Sequence, residues 1–304
     1  MSRTISVITF YKPTNENVNN MLSIAEQSDI VIICDNSDKS NAFLFEQNKK
    51  IIYKPNCDNL GLSAAFNKIL NDSETFHWND DDFIIFFDQD SKIANSHIAS
   101  LISEYEELEI QGYKIGCLGP FYYDLSSKSI RKPRLYKRIS EHSISVTSFM
   151  TSSMICRYKN LKAVNYWSED IFLDMADWDL CWKMKKHGLL IVMTDKCLLT
   201  HKLGEGTKKL VFITLGVSKP FREYYQTRDC IYLLRKDYVP LKMRFRFYLQ
   251  LTLRPLLHIL FFDHPEERKY YIRIGFQHAR KKITGKLKEE DMWYKNAHTT
   301  SKGH

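Results

Sequence analysis

The chain has seven cysteines and no CxxC pair. An odd count at irregular spacing argues against a disulfide framework and a zinc site, and for a reducing compartment. No long apolar run is present either. The longest, Phe245 to Phe262, is broken by Arg246, Gln250, Arg254, Pro255 and His258, which excludes a comfortable membrane-spanning helix. The N-terminus runs straight into a strand-like segment, Thr4 to Phe10, so no signal peptide is expected. There are no repeats or low-complexity tracts. The loop after the first segment is Tyr11-Lys12-Pro13-Thr14, not the Gly-rich, basic loop of a nucleotidyltransferase. An RNP-like motif of stacking aromatics is absent too, which argues against an RNA binder, and no nucleic-acid partner is expected. Acidic residues are scarce in one region. Between Lys219 and Glu290 stand 17 Lys/Arg against 8 Asp/Glu, while the rest of the chain holds 27 against 28. The whole net charge of +8 thus belongs to the C-terminal quarter, a concentration that suits a polyanionic partner.

What is there is an ordinary folded composition, 44% hydrophobic and 26% charged over 304 residues, enough for one large domain with an appendage. Strand-like segments at Thr4–Phe10, Asp29–Cys34, near Lys50–Lys54 and at Phe83–Phe87 alternate with helical patterns at Asn15–Gln27, Leu62–Leu70 and Ser96–Glu109. That alternation predicts an α/β fold, a mostly parallel sheet with helices on both faces. Further strands are read at Lys114–Gly119, Ser152–Arg157 and Leu189–Met193, and a helix at Asp177–His187. The serine-rich stretch from Phe121 to Phe149 reads as edge strands and loops. From Phe221 onward the pattern is helical. The expected division is therefore 1–218 for the α/β domain and 219–304 for a basic helical region.

Candidate site residues lie where predicted strands end, because ligands of open α/β sheets collect there. The five-residue apolar run ending at Phe87 leads into Asp88-Gln89-Asp90-Ser91. Two carboxylates one residue apart suit Mg²⁺ or Mn²⁺ shared with substrate phosphates, although a polar turn would look the same. Asp35, after the second strand, can accept hydrogen bonds from a base or ribose, or serve only as a turn residue. Gly61 permits a tight turn before a helix of small residues. Asp177 and Asp179 open a predicted helix, where a carboxylate acts as cap or as catalyst. His201 follows the last strand and is a candidate metal ligand.

The order of these pieces resembles family 2 glycosyltransferases of the GT-A fold, and within them bacterial rhamnosyltransferase-like enzymes. The matching residues are Val7-Ile8-Thr9-Phe10, Asp35-Asn36-Ser37, Asn59-Leu60-Gly61, Asp88-Gln89-Asp90-Ser91, Phe172 to Asp177, His201 to Gly204 and Phe221 to Arg228. The resemblance implies that Thr9, Phe10 and Asp35 contact the nucleotide, with Asn59 and Gly61 beside the donor. It also implies that Asp88 and Asp90 hold Mg²⁺ or Mn²⁺ on the donor diphosphate, and that His201 helps bind metal or diphosphate. Asp177 would be the catalytic base and Arg228 an acceptor or phosphate contact. Ala176 stands where many relatives carry an acid, with Asp174 and Asp179 close by, and Asp229 stands where the rhamnosyl subgroup often has Asn. The implied reaction is a single inverting displacement. It moves L-rhamnose from dTDP-rhamnose to a saccharide hydroxyl in bacterial surface polysaccharide synthesis. UDP-hexose, UDP-galactofuranose and UDP-N-acetylhexosamine are alternative donors.

The leucines at 249, 253, 256, 257 and 260 recur at helical spacing among Arg246 and Arg254. A basic amphipathic helix of this kind suits an anionic membrane surface, where a lipid-linked acceptor would be presented, or else packing on the catalytic domain or a homodimer partner. A cytoplasmic protein peripheral at the inner face of the plasma membrane is expected.

Overall fold

The computed structural model describes residues 2–45, 48–125, 128–201, 207–210, 213–216 and 219–293. The chain divides into two compact units, Met1–Ser168 with Ala176–Leu203, and Glu169–Met175 with Gly204–His304. The division falls earlier than the expected boundary near Lys219, and the short 169–175 segment belongs with the helical unit.

The first unit runs β1 (Thr4–Phe10), α1 (Asn15–Glu26), β2 (Ile30–Asp35), β3 (Ile51–Pro55), α2 (Leu62–Leu70), the single turn α3 (Ser73–Phe76), β4 (Phe83–Asp88), α4 (His97–Ile110) and β5 (Ile115–Asp124). It continues through the short strands β6 (Ser129–Arg131), β7 (Lys137–Arg138) and β8 (Ser143–Ser145), then β9 (Met154–Arg157), α5 (Tyr158–Ala163), α6 (Ala176–Lys186) and β10 (Leu190–His201). The sheet order is β3-β2-β1-β4-β9-β5-β10-β8-β7, with β6 on β5. β3, β2, β1 and β4 are parallel, as are β5 and β10. β9 runs antiparallel between β4 and β5, so the sheet is mixed.

β4 shows why its apolar run is unbroken. Phe83, Ile85 and Phe87 share a core with Met21 and Ile24 of α1 and Leu101 and Tyr105 of α4. Phe86, on the opposite face, packs on Phe66 of α2 and on Trp167, with ring centroids 4.6 and 5.2 Å away. A strand covered on both faces has no polar side to alternate with. α1 starts at a capping box: Asn17 N–H donates to Thr14 Oγ1 and Thr14 N–H donates to Asn17 Oδ1.

In the second unit, β11 (Thr207–Leu210) and β12 (Ile213–Gly216) form an antiparallel pair, followed by α7 (Arg222–Leu234), α8 (Leu241–Phe261) and α9 (Pro265–Lys281). A cluster of Phe172, Tyr224, Tyr225, Tyr271 and Ile274 fills its interior. α7 and α9 approach closely at Gly275. A Cβ there would stand 2.9 Å from both Thr227 Cβ and the Tyr224 carbonyl oxygen. Among the described residues no helix is long and apolar enough to cross a membrane. All seven cysteines are free, and Cys57 alone is exposed.

Candidate active site

Strand register builds the site before any side chain is considered. β1 pairs with β2 so that Phe10 faces Asp35, and with β4 so that Thr9 faces Asp88. Thr9, Asp35 and Asp88 therefore stand side by side at the carboxyl ends of three adjacent parallel strands, the position expected for a ligand site. Thr9 is half-buried, and so is Asp88. Asp90 is exposed, one residue past the apex of the turn that leaves β4.

That turn is fastened from several sides. Ser91 N–H donates to the Asp88 carbonyl at 3.0 Å, and Asp88 N–H donates to Ser91 Oγ at 3.1 Å. Ser91 Oγ is buried 2.5 Å from Ser152 Oγ, just ahead of β9. Gln89 Oε1 accepts from Tyr11 N–H at 2.7 Å, and Asn17 Nδ2 donates to the Gln89 carbonyl at 3.2 Å. The side chain between the two acids thus ties the β1 exit loop to the β4 turn. An isolated bridge pairs Lys92 with Thr200, which brings the end of β10 beside the same turn. His201 is the next residue, and its side chain lies outside the described residues.

Asp35 is buried and already well supplied with donors. Its Oδ1 accepts from Ser37 N–H at 2.9 Å, and its Oδ2 from Asn41 Nδ2 at 2.8 Å and Tyr53 OH at 2.6 Å. Burial first, then the bond to the Asp35 carboxylate, pushes the Tyr53 hydroxyl above its ordinary pKa, so it remains a donor. Asp35 organises the loop after β2, and that loop reaches its neighbours. Lys12 N–H donates to Ser37 Oγ at 2.7 Å, and Asn36 Nδ2 donates to the Gly61 carbonyl at 3.1 Å. Asn59 Oδ1 accepts from Gly61 N–H at 3.0 Å and shapes the turn into α2, where Gly61 has φ +80°. Phe10 differs from expectation. Its ring is buried against Phe45, centroids 5.5 Å apart, because β1 alternates and this position faces the α1 core rather than a ligand.

Asp177 sits in the first turn of α6, half-buried, with Trp178 N–H donating to its Oδ1 at 2.8 Å. α6 is followed directly by β10, which runs parallel to β5, so the start of α6 lies toward the carboxyl edge of the sheet. Tyr122, on β5, reports the carboxylate's proximity. Burial chiefly drives its hydroxyl well above the ordinary pKa, and the charge of Asp177 adds to the rise. The neighbouring acids are differently placed. Asp179 is fully buried, and Asp174 accepts from Arg222 Nη2 at 2.5 Å and Gln226 Nε2 at 2.8 Å within the helical unit.

Arg228 also belongs to the helical unit and is 0% exposed. Its Nε donates to Asp229 Oδ1 at 2.8 Å, and its Nη1 to Tyr224 OH at 3.0 Å and the Gly285 carbonyl at 2.6 Å. A guanidinium so enclosed holds the loop after α9 to α7 through Nη1 and Nε, while its Nη2 is buried without a hydrogen-bond partner among the described residues. Among the described residues no three His, Cys, Asp or Glu side chains gather as a metal cage. Asp88 and Asp90 nevertheless fit a hard divalent cation, which binds through one or two carboxylates and takes its remaining ligands from phosphate and water.

Comparison with known proteins gives the family and the fold. The chain belongs to glycosyl transferase family 2, whose sequence model matches residues 7–162, the stretch from β1 through α5 that carries the β1, β2 and β4 ends. It is a glycosyltransferase, and its α/β unit has the GT-A fold. The dTDP-rhamnosyl transferase RfbF of Shigella flexneri is 28% identical over 257 residues, 81% of this chain and 84% of that one. A solved structure of GalNAc-T7 with UDP, GalNAc and Mn²⁺ aligns with 92% of this chain at TM-score 0.57 and 13% identity, and the chain spans 57% of that protein. S. aureus TarS 1-349 aligns with 91% of this chain and 80% of its own at TM-score 0.56 and 13% identity.

Proposed function

We propose that the protein transfers L-rhamnose from dTDP-rhamnose, with inversion, to a hydroxyl of a lipid-linked or oligosaccharide acceptor. The setting would be bacterial surface polysaccharide synthesis at the cytoplasmic face of the plasma membrane. The observation that carries the reading is the register-fixed row of Thr9, Asp35 and Asp88 at one sheet edge, with Asp90 on the pinned turn beyond it. The choice of donor rests on the likeness to the Shigella flexneri rhamnosyl transferase along most of both chains.

In this mechanism the nucleoside lies over the ends of β1 and β2, against Thr9 and the polar loop that Asp35 organises. The Asn59–Gly61 turn borders the donor. Asp88 and Asp90 would hold Mg²⁺ or Mn²⁺, with His201 as a further candidate ligand, and the cation would supply positive charge against the departing diphosphate. Asp177 takes the proton of the acceptor hydroxyl while that oxygen forms its bond to the anomeric carbon and the bond to the diphosphate breaks. One base suffices, since the leaving group departs as an anion and needs no proton. The first turn of α6 suits the task, because a helix N-terminus favours the ionised carboxylate.

A donor panel tests the assignment. The protein is mixed with Mn²⁺ and dTDP-rhamnose, UDP-galactose, UDP-galactofuranose or UDP-N-acetylglucosamine, and released nucleoside diphosphate is measured. dTDP should appear fastest. Faster release of UDP from any of the others overturns the choice of rhamnose.

A further inference from the structure

The buried side of helix α8 carries polar groups beside Phe247, and its exposed side is largely apolar. On the inner side His258 is buried, its Nδ1 2.6 Å from Glu223 Oε1. Arg254 Nη2 lies 3.8 Å and Arg268 Nη1 of α9 3.1 Å from the same oxygen. Burial alone would raise the Glu223 pKa, but His258 and the two guanidinium groups hold it below the ordinary value, so the carboxylate stays charged. Arg244 Nε donates to the Val239 carbonyl at 3.2 Å. On the outer side stand Phe245, Tyr248, Leu249, Leu253, Leu256 and Leu260, between 41% and 72% exposed. They recur at intervals of three and four and so share one face. This reverses the usual amphipathic plan, in which charge faces water and leucine faces the core. An apolar face along a helix roughly 30 Å long marks an interaction surface rather than ordinary scatter.

Charge selects the occupant. Exposed Lys242 and Arg246 border the apolar face, and no Asp or Glu occurs from Leu241 to Phe262. A second copy pairing through this helix would bring apolar area but no acidic counter-charge. An anionic lipid surface supplies both, and the helix is not apolar enough to cross a bilayer. We propose that α8 docks on anionic membrane, lying in the plane of the interface with its leucine face at the acyl boundary and Lys242 and Arg246 among the headgroup phosphates. The inference stands apart from the sugar chemistry, because it uses none of the residues assigned to it.

The test is flotation of the full chain with vesicles of phosphatidylglycerol and phosphatidylcholine, or of phosphatidylcholine alone. The protein should float with the anionic vesicles, less so as salt rises, with a residue of binding that salt does not remove. Lys242→Ala with Arg246→Ala should weaken partition to anionic vesicles about fivefold for each charge lost. Phe245→Glu with Leu249→Glu and Leu256→Glu should leave the protein unfloated at its wild-type melting temperature. Three results would overturn the proposal. They are a wild-type chain that does not float at low salt, equal binding to the two vesicle types, and a dimer in sedimentation that the glutamate variant dissociates while neither protein binds vesicles. The last would give the face to a second copy.

Discussion

Three carboxylates within the span 174–179 have three different surroundings. Asp174 is held by Arg222 and Gln226, Asp179 is fully buried, and Asp177 is half-buried at a helix start with Trp178 N–H on its Oδ1. Of the three, only Asp177 combines partial exposure with a place in the first turn of α6, where an ionised carboxylate is favoured. Asp177→Asn is therefore expected to lower kcat by about 10²–10⁴-fold, the usual worth of a general base, with donor affinity little changed. Turnover near wild type would remove the role from this residue. His97 offers a second test at this scale. It is buried, its Nε2 2.6 Å from Ser153 Oγ, and burial depresses its pKa to about 4 from an ordinary 6.5. Above pH 6.5 neither folded nor unfolded chain protonates it. Between pH 6.5 and about 4 the unfolded chain gains a proton that the folded chain refuses, so stability falls as pH falls, by on the order of 3 kcal/mol across the window. Urea midpoints through this range should show a steeper pH dependence for wild type than for His97→Gln. Parallel curves would mean that other groups carry the acid sensitivity.

At the scale of elements, the close crossing of α7 and α9 at Gly275 leaves no room for a side chain, since the obstructing groups include a backbone carbonyl that cannot swing aside. Gly275→Val should cost about 1–3 kcal/mol through overpacking and lower the denaturation midpoint accordingly. An unchanged midpoint would show that the helices can separate freely. Elements were also what the sequence disclosed best. β1 and α2 begin and end where periodicity placed them, and β4 extends one residue further, because each is specified by its own apolar pattern. The apolar pattern marks β10 only to Met193, whereas the strand continues to His201 through polar Thr194-Asp195-Lys196 and a register shift. The antiparallel direction of β9 could not be read either, since strand direction depends on the connection and not on side chains. The site divides the same way. Asp88 and Asp35 stand out as candidates because they end strands, and Asp90 because it follows Asp88 by two residues. Ser152, 61 residues from Ser91, and Tyr53, 18 residues from Asp35, entered only through contacts that the fold creates. Phe10 and Arg228 sit within legible motifs, yet alternation turned one ring into the core and burial enclosed the other charge.

At the scale of the whole molecule, ligand binding should appear as stability. dTDP with Mn²⁺ at 100 times its Kd adds about 2.7 kcal/mol to the folded state, a rise of several degrees in Tm. EDTA should abolish most of that rise, and so should Asp90→Ala. A shift indifferent to both would separate nucleotide binding from the carboxylate pair. The uneven charge of the chain also follows its architecture, since the basic surplus lies wholly within the helical unit. Cys57 is the single exposed thiol, and it lies between the end of β3 and the Asn59–Gly61 turn, while burial drives the Cys34, Cys156, Cys197 and Cys230 thiols well above their ordinary pKa. The native chain therefore carries its own attachment point for a thiol-reactive dye, set within a few residues of the proposed donor pocket. Fluorescence from that one position could follow each arrival and departure of nucleotide without a substitution anywhere in the protein.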